Sequence, residues 1–203
     1  MRQTLFVLSP AYCGGRRALQ LLNSGAELPL ARRLREPPGV PLGEAFSFMS
    51  GLYFRGKLAY ARRFACARQG TGVHVITPGR GLLDPEHRVR HGELLAIAEI
   101  PVALEEPRYR RPLERDAGVL ADSLAEGDAV VLLGSIATDK YIEVLAALLA
   151  DRLHVPAEFL GRGDMSRGAL MLRSVQLGRE LSYIPVAGAP MRGPRARRVA
   201  DMI

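Results

Sequence analysis

The sequence predicts an α/β fold: a three-layer arrangement with a mainly parallel, four-stranded sheet and helices on both faces. Short apolar runs recur along the chain, each followed by a glycine-containing loop and then a helical pattern. These runs lack polar–apolar alternation, which marks strands buried on both sides. At 203 residues and 48% hydrophobic, the chain can bury one sizeable core. A single domain over residues 1–190 and a basic C-terminal tail over 191–203 are the expected organisation.

Thr4 to Leu8 reads as the first strand, and Arg16 to Leu22 as the helix after its loop. Residues 25 to 46 contain Pro29, Pro37, Pro38 and Pro41 with three glycines. A short basic helix near Leu30 to Leu34 and then an irregular loop follow from that composition. Ser47 or Ser50 is a candidate cap for a helix over roughly Tyr53 to Arg68. Val73 to Thr77 is the second strand, with Pro78-Gly79-Arg80-Gly81 as its exit. Glu93 to Leu104 fits a helix or an added strand, and Pro101 disfavours an unbroken helix. Leu113 to Leu124 is an amphipathic helix. Ala129 to Leu133 is the most strand-like run, and Thr138 or Asp139 can cap a helix reaching about Arg152. Val155 to Leu160 is the fourth strand, followed by a polar loop and a helix to about Leu177. Leu181 to Val186 fits an edge strand, and the arginine-rich tail from Met191 reads as mobile.

Composition narrows the function classes. Lys plus Arg total 28 against 21 acidic residues, a net charge of +7, and Lys57 and Lys140 are the only lysines. Arginine presents a planar fork suited to phosphate, so a nucleic acid or nucleotide becomes an expected partner. Cys13 and Cys66 make no metal-ligand spacing, so neither a metal nor another cofactor is expected. The N-terminal apolar run, Leu5 to Leu8, is too short for a signal peptide or membrane span, and a cytoplasmic protein without membrane attachment is the expectation.

In open α/β sheets ligands collect at the carboxyl ends of the strands. The four loops there are Ser9 to Arg17, Thr77 to Gly81, Gly134 to Thr138 and Gly161 to Arg167. Glycines such as Gly14, Gly79 and Gly134 admit close backbone approach, and a following helix points its donors at an anion. Ser9, Ser135 and Ser166 add hydroxyls, while Arg16, Arg80, Arg162 and Arg167 surround the same predicted edge. No P-loop spacing and no GxGxxG fingerprint is present. In the stretch Ser50 to Phe64, Tyr53 and Phe54 are candidates for stacking on a base, with Arg55 and Lys57 holding phosphates. The plainer alternative is a core face of Leu58, Ala61 and Phe64 with a solvated charged face. Gly56 is expected to favour close ligand approach. Asp164 is the candidate general base, or a helix cap. Cys13 is a candidate nucleophile near a helix N-terminus, where thiol pKa values fall.

The layout resembles the uracil-DNA glycosylase fold over about residues 3 to 175. Ser9-Pro10-Ala11-Tyr12-Cys13-Gly14 stands where that family's water-activating motif lies, although it contains no Asp or Asn. Tyr53-Phe54-Arg55-Gly56 is similar to its base-pocket segment, and Val131-Leu132-Leu133-Gly134 to its third strand. Gly161 to Ser166 stands where the DNA-intercalating loop lies, without its histidine. The first loop and Pro78 to Leu82 also resemble small bacterial domains associated with nucleic-acid modification and stress. The resemblance implies a nucleic-acid or nucleotide-directed protein that binds a phosphate-bearing ligand, with action at a glycosidic bond as its reaction. A non-catalytic nucleotide-binding or protein-interaction module, and a transferase using Cys13 or Ser9 as nucleophile, are the alternatives. Salt-dependent oligonucleotide binding, lost in Arg55→Ala or Arg162→Ala, is the corresponding expectation.

Overall fold

A computed structural model describes residues 2–136 and 139–187. Along the chain run β1 (Thr4–Leu8), α1 (Arg16–Leu22), α2 (Pro29–Arg35), β2 (Val40–Pro41), α3 (Leu42–Ser50) and α4 (Leu52–Phe64). Then come β3 (Val73–Thr77), β4 (Gly81–Leu83), β5 (Arg88–Val89), α5 (His91–Ala98) and α6 (Pro107–Asp122). The remainder is β6 (Ala129–Leu133), α7 (Asp139–Leu149), β7 (Leu153–Pro156), α8 (Asp164–Leu177) and β8 (Tyr183–Pro185).

The main sheet has six strands in the order β4-β3-β1-β6-β7-β8. β1, β3, β6 and β7 are parallel, and the two edges, β4 and β8, run antiparallel. The expected four strands are therefore its parallel centre, with one edge strand more than the sequence suggested. β4 arises because the exit of β3 does not lead to a helix. It turns back at once, Arg80 N–H donating to Thr77 O, and pairs Thr77 with Gly81. β7 starts earlier than expected, at Leu153, and the chain tightens into a 3-10 turn after Pro156.

Side chains of one strand alternate between two core clusters. Phe6, Leu8, Val131 and Leu133 join residues of α1 to α5 and α8, whereas Leu5, Val7, Val130 and Leu132 join residues of α6 and α7. Helices thus cover both faces, and the central strands need apolar residues at every position. The proline-rich segment is more regular than its composition implies: Pro41 stands at the start of α3 rather than in a loop. Gly51, at φ +60, separates α3 from α4, so Ser47 and Ser50 lie inside α3 and cap nothing. α5 ends at Ala98, ahead of Pro101. The helix expected from Leu113 begins at Pro107, where Glu106 accepts a hydrogen bond from Arg108 N–H.

The amino-terminal ends of the central strands β1 and β6 are tied together by Asp128. Its carboxylate accepts from Gln3 N–H at 2.8 Å, Gln3 Nε2 at 3.1 Å and Ala125 N–H at 2.9 Å, and pairs with Arg68 at 2.5 Å. These donors hold the carboxyl well below its ordinary range, the Gln3 amide contributing most. A depressed folded pKa means its stabilisation is present above about pH 4 and is lost as the pH falls below that. Asp128→Asn is expected to lower Tm by roughly 5–10 °C at pH 7. Thermal scans at pH 7 and pH 3 check this: the gap between variant and wild type should shrink in acid.

Candidate functional site

The register of the central strands builds the site. Leu8 pairs with Leu133, so Ser9 and Gly134 leave the sheet side by side. From this point the chain passes to β3 on one side and to β7 on the other. A crevice therefore forms outside β1 and β6, where the connections diverge. A cleft of about 510 Å³ occupies that position.

Its floor and first wall are Ser9 and the loop Pro10 to Gly14. Tyr53 at the start of α4, Ser135 after β6, and Lys140 and Tyr141 on α7 form further walls, with Asp164 at the start of α8. Pro78, beyond β3, and Ile100 to Val102 close the remaining side. Three strand exits and the first turn of α8 thus meet in one place. Ala137 and Thr138, part of the expected β6 loop, lie outside the described residues, as does the tail from Met191.

The cleft is built around a buried amine. Lys57 projects from α4 and is 1% exposed; its Nζ donates to Ser9 O at 2.6 Å and to Ser9 Oγ at 2.9 Å. The same Nζ sits 4.6 Å from the centre of the Tyr53 ring and 4.8 Å from that of Phe54. Among the described residues no carboxylate forms an ion pair with it. Burial lowers the Lys57 pKa to about 7, and the more distant charge of Asp164 offsets only part of that. Tyr141 stands on the other side of Ser9 and accepts the Ser135 N–H at 2.8 Å. Burial raises its phenol, against the Ser135 amide and the Ser9 side chain. Gly134 is required by this packing, since a Cβ there would lie 2.8 Å from Tyr141 Oη and 3.1 Å from Ser9 Cβ.

The expected site residues divide into two groups. Ser9, Cys13, Gly14, Tyr53, Ser135 and Asp164 line the cleft. Gly134 and Lys57 lie beneath its wall, packed against Ser9. Cys13 is no primed thiolate: burial raises its pKa to about 11, and its Sγ faces Ala11 O at 3.7 Å. Asp164 occupies the first turn of α8, behind Gly163 as the cap residue. Its side chain is solvent-facing and lies 3.7 Å from Arg167.

The others serve elsewhere. Phe54 is wholly buried edge-on against Phe46, so it offers no face to a base. Lys57 is buried under Ser9 instead of reaching a phosphate in solvent. Arg55 lies on a shallow outer surface with Glu44 and Arg62, and Arg16 is exposed outside the cleft wall. Arg80 pairs with Glu93 at 3.2 Å, while Gly79 lies in a separate depression beside Ile100. Arg162 donates to Ser166 Oγ at 3.2 Å. Arg167 is buried and donates to Phe159 O from Nε at 3.2 Å and Nη2 at 3.1 Å, which fixes the turn before α8. Gly56 faces Gly168 of the neighbouring helix, so it serves packing and not ligand approach.

Lys140, Tyr141 and the partnership of Lys57 with Ser9 were not foreseen. One signal was available: Tyr53, Lys57, Tyr60 and Phe64 recur at helical spacing, which places the lysine on the aromatic face.

No family model, curated protein or solved structure matches this chain. The likeness of layout to the glycosylase fold gains no support from them. The molecule is a mixed α/β protein with a mostly parallel sheet and a polar cleft at the strand carboxyl edge. Among the described residues, no helix is long and apolar enough to cross a membrane, and no His, Cys, Asp and Glu cluster could hold a metal ion.

Proposed function

We propose that this cleft binds a phosphate-bearing ligand, a nucleotide or a nucleic-acid segment, and that the protein acts on it there. The single observation that carries this reading is the meeting of three strand exits and the start of α8 around one opening. Among the described residues, the backbone N–H groups of Tyr12, Cys13 and Gly14 donate to no protein acceptor. They offer neutral donors to an anion, with the Lys140 ammonium on the facing helix supplying charge. Tyr12, 74% exposed at the cleft mouth, is the ring best placed to stack on a base, in preference to Phe54.

Fluorescence anisotropy with labelled nucleotides and short oligonucleotides, repeated from 50 to 200 mM salt, tests it. Affinity should fall as salt rises. Lys140→Ala should weaken binding by about tenfold and reduce the salt slope by about one, whereas Arg55→Ala, outside the cleft, should leave both unchanged. Binding that ignores salt, or that responds equally to both substitutions, would remove this function.

A further inference from the structure

We infer that Ser9 is a nucleophile whose general base is the Lys57 amine, and that the cleft processes an acyl group, a carboxylic ester or thioester. Lys57 Nζ lies 2.9 Å from Ser9 Oγ, within the reach a proton-transfer partner needs, and Ser9 lines the opening. The lysine comes from α4 and the serine from the exit of β1, 48 positions apart. Two core elements hold the pair, so its geometry does not depend on a flexible loop.

The environment suits that role. A primary ammonium is a poor base, and an amine becomes one only when its charged form is disfavoured. Lys57 is enclosed by the Tyr53 and Phe54 rings and has no ion-paired carboxylate among the described residues. The charged and titratable groups facing it from the packed elements are Asp164 of α8 and Tyr53 of its own helix; Tyr141 of α7 reaches it across Ser9. Only Asp164 opposes deprotonation, and it does so from the solvent-facing side of α8. With only the neutral oxygens of Ser9 as hydrogen-bond acceptors, the buried amine carries a desolvation cost in its charged form that a leucine or methionine would not.

The reaction balances without another component but water. Ser9 Oγ forms a bond to the carbonyl carbon as its proton moves to Lys57 Nζ. The bond to the leaving oxygen or sulfur then breaks, and the ammonium returns the proton to it. Water attacks the resulting acyl-serine ester and gives one proton to Nζ; that proton passes to Ser9 Oγ as the acid departs. The amides of Tyr12 to Gly14, which donate to no protein acceptor among the described residues, belong to the same cleft-lining loop as Ser9 and are the candidate donors to the negative oxygen formed at each attack.

The inference shares the cleft with the proposed function but does not require a phosphate, so its probes carry no nucleotide. The intact protein is treated with a fluorophosphonate, and separately with p-nitrophenyl butyrate, followed by intact-mass and peptide analysis. One adduct should appear on Ser9, at a rate that rises with pH through about 7 and then levels, as Lys57 loses its proton. Ser9→Ala should abolish it. Lys57→Met should slow it by 100-fold or more while circular dichroism shows a folded chain. The assignment is overturned by no adduct, by an adduct on another residue, or by Ser9 labelling that Lys57→Met leaves unchanged. Borohydride trapping of an aldehyde on Lys57, in place of a Ser9 adduct, would assign the amine itself as nucleophile and equally overturn it.

Discussion

Stability of the wild-type protein is expected to rise by about 2 kcal/mol between pH 7.5 and 9, and Lys57→Met is expected to abolish that rise. Burial holds the Lys57 amine at about 7 instead of its ordinary 10.5. In the unfolded chain the amine stays protonated throughout this interval, so the unfolded state binds more protons. Stability must then increase with pH, by about 1.4 kcal/mol per unit for one group. Above pH 9 the unfolded Cys13 thiol ionises before the folded one, which burial raises to about 11, and this offsets the lysine's contribution, so the rise levels off. Urea midpoints at half-unit steps measure the slope. Parallel slopes in wild type and variant would show that the amine is not desolvated in the fold. Lys57→Met should also be at least as stable as wild type at pH 7.5. The thioether fills a similar volume beside the Tyr53 and Phe54 rings, and no charged form has to leave water. A gain in stability with a loss of Ser9 labelling is the signature of a group retained for chemistry.

Much of this architecture was legible because its signals are local. β1, β3 and β6 are uninterrupted apolar runs, and each was bounded correctly from Thr4, Val73 and Ala129. α3 was hidden by local signals that mislead: the prolines and glycines before it read as a loop, yet Pro41 fits the turn that starts a helix. β4 was illegible because three residues after a tight turn carry no periodicity. The site was half legible for the same reason. Strand exits can be located from sequence, so Ser9, Ser135 and Asp164 were named. Which partner an inward cation meets cannot, because that depends on β1 and α8 lying against α4, segments far apart in the chain. Arg55 and Lys57 are two positions apart in one helix; helical spacing puts the lysine on the aromatic face, but its seat under Ser9 is set by a segment 48 positions away.

The contact between α4 and α8 rests on two glycines, and Gly56→Ala is expected to destabilise the protein although alanine is the better helix former. A Cβ at Gly56 would stand 2.7 Å from Gly168 O and 3.1 Å from Gly168 Cα. A Cβ at Gly168 would in turn meet Leu52 O and Tyr53 Cα at 3.0 Å each. These obstacles are backbone atoms, which no rotamer change can move aside, so the helices must separate. Alanine contributes about 1 kcal/mol of helix propensity, and overpacking against backbone lies at the upper end of about 1–3 kcal/mol, leaving a net loss of up to about 2 kcal/mol, or up to roughly 8 °C in Tm. Separation would also draw Tyr53 from Arg167 and Lys57 from Asp164 and admit water around the Lys57 amine, favouring its protonated form, so Ser9 labelling should slow with it. Gly118→Ala in α6 is the control, because nothing lies within 4 Å of its added Cβ. Propensity then acts alone, and Tm should rise by a few degrees. If both alanines raised Tm alike, the two helices would not be in backbone contact, and the enclosure that keeps Lys57 dry would lose its physical basis.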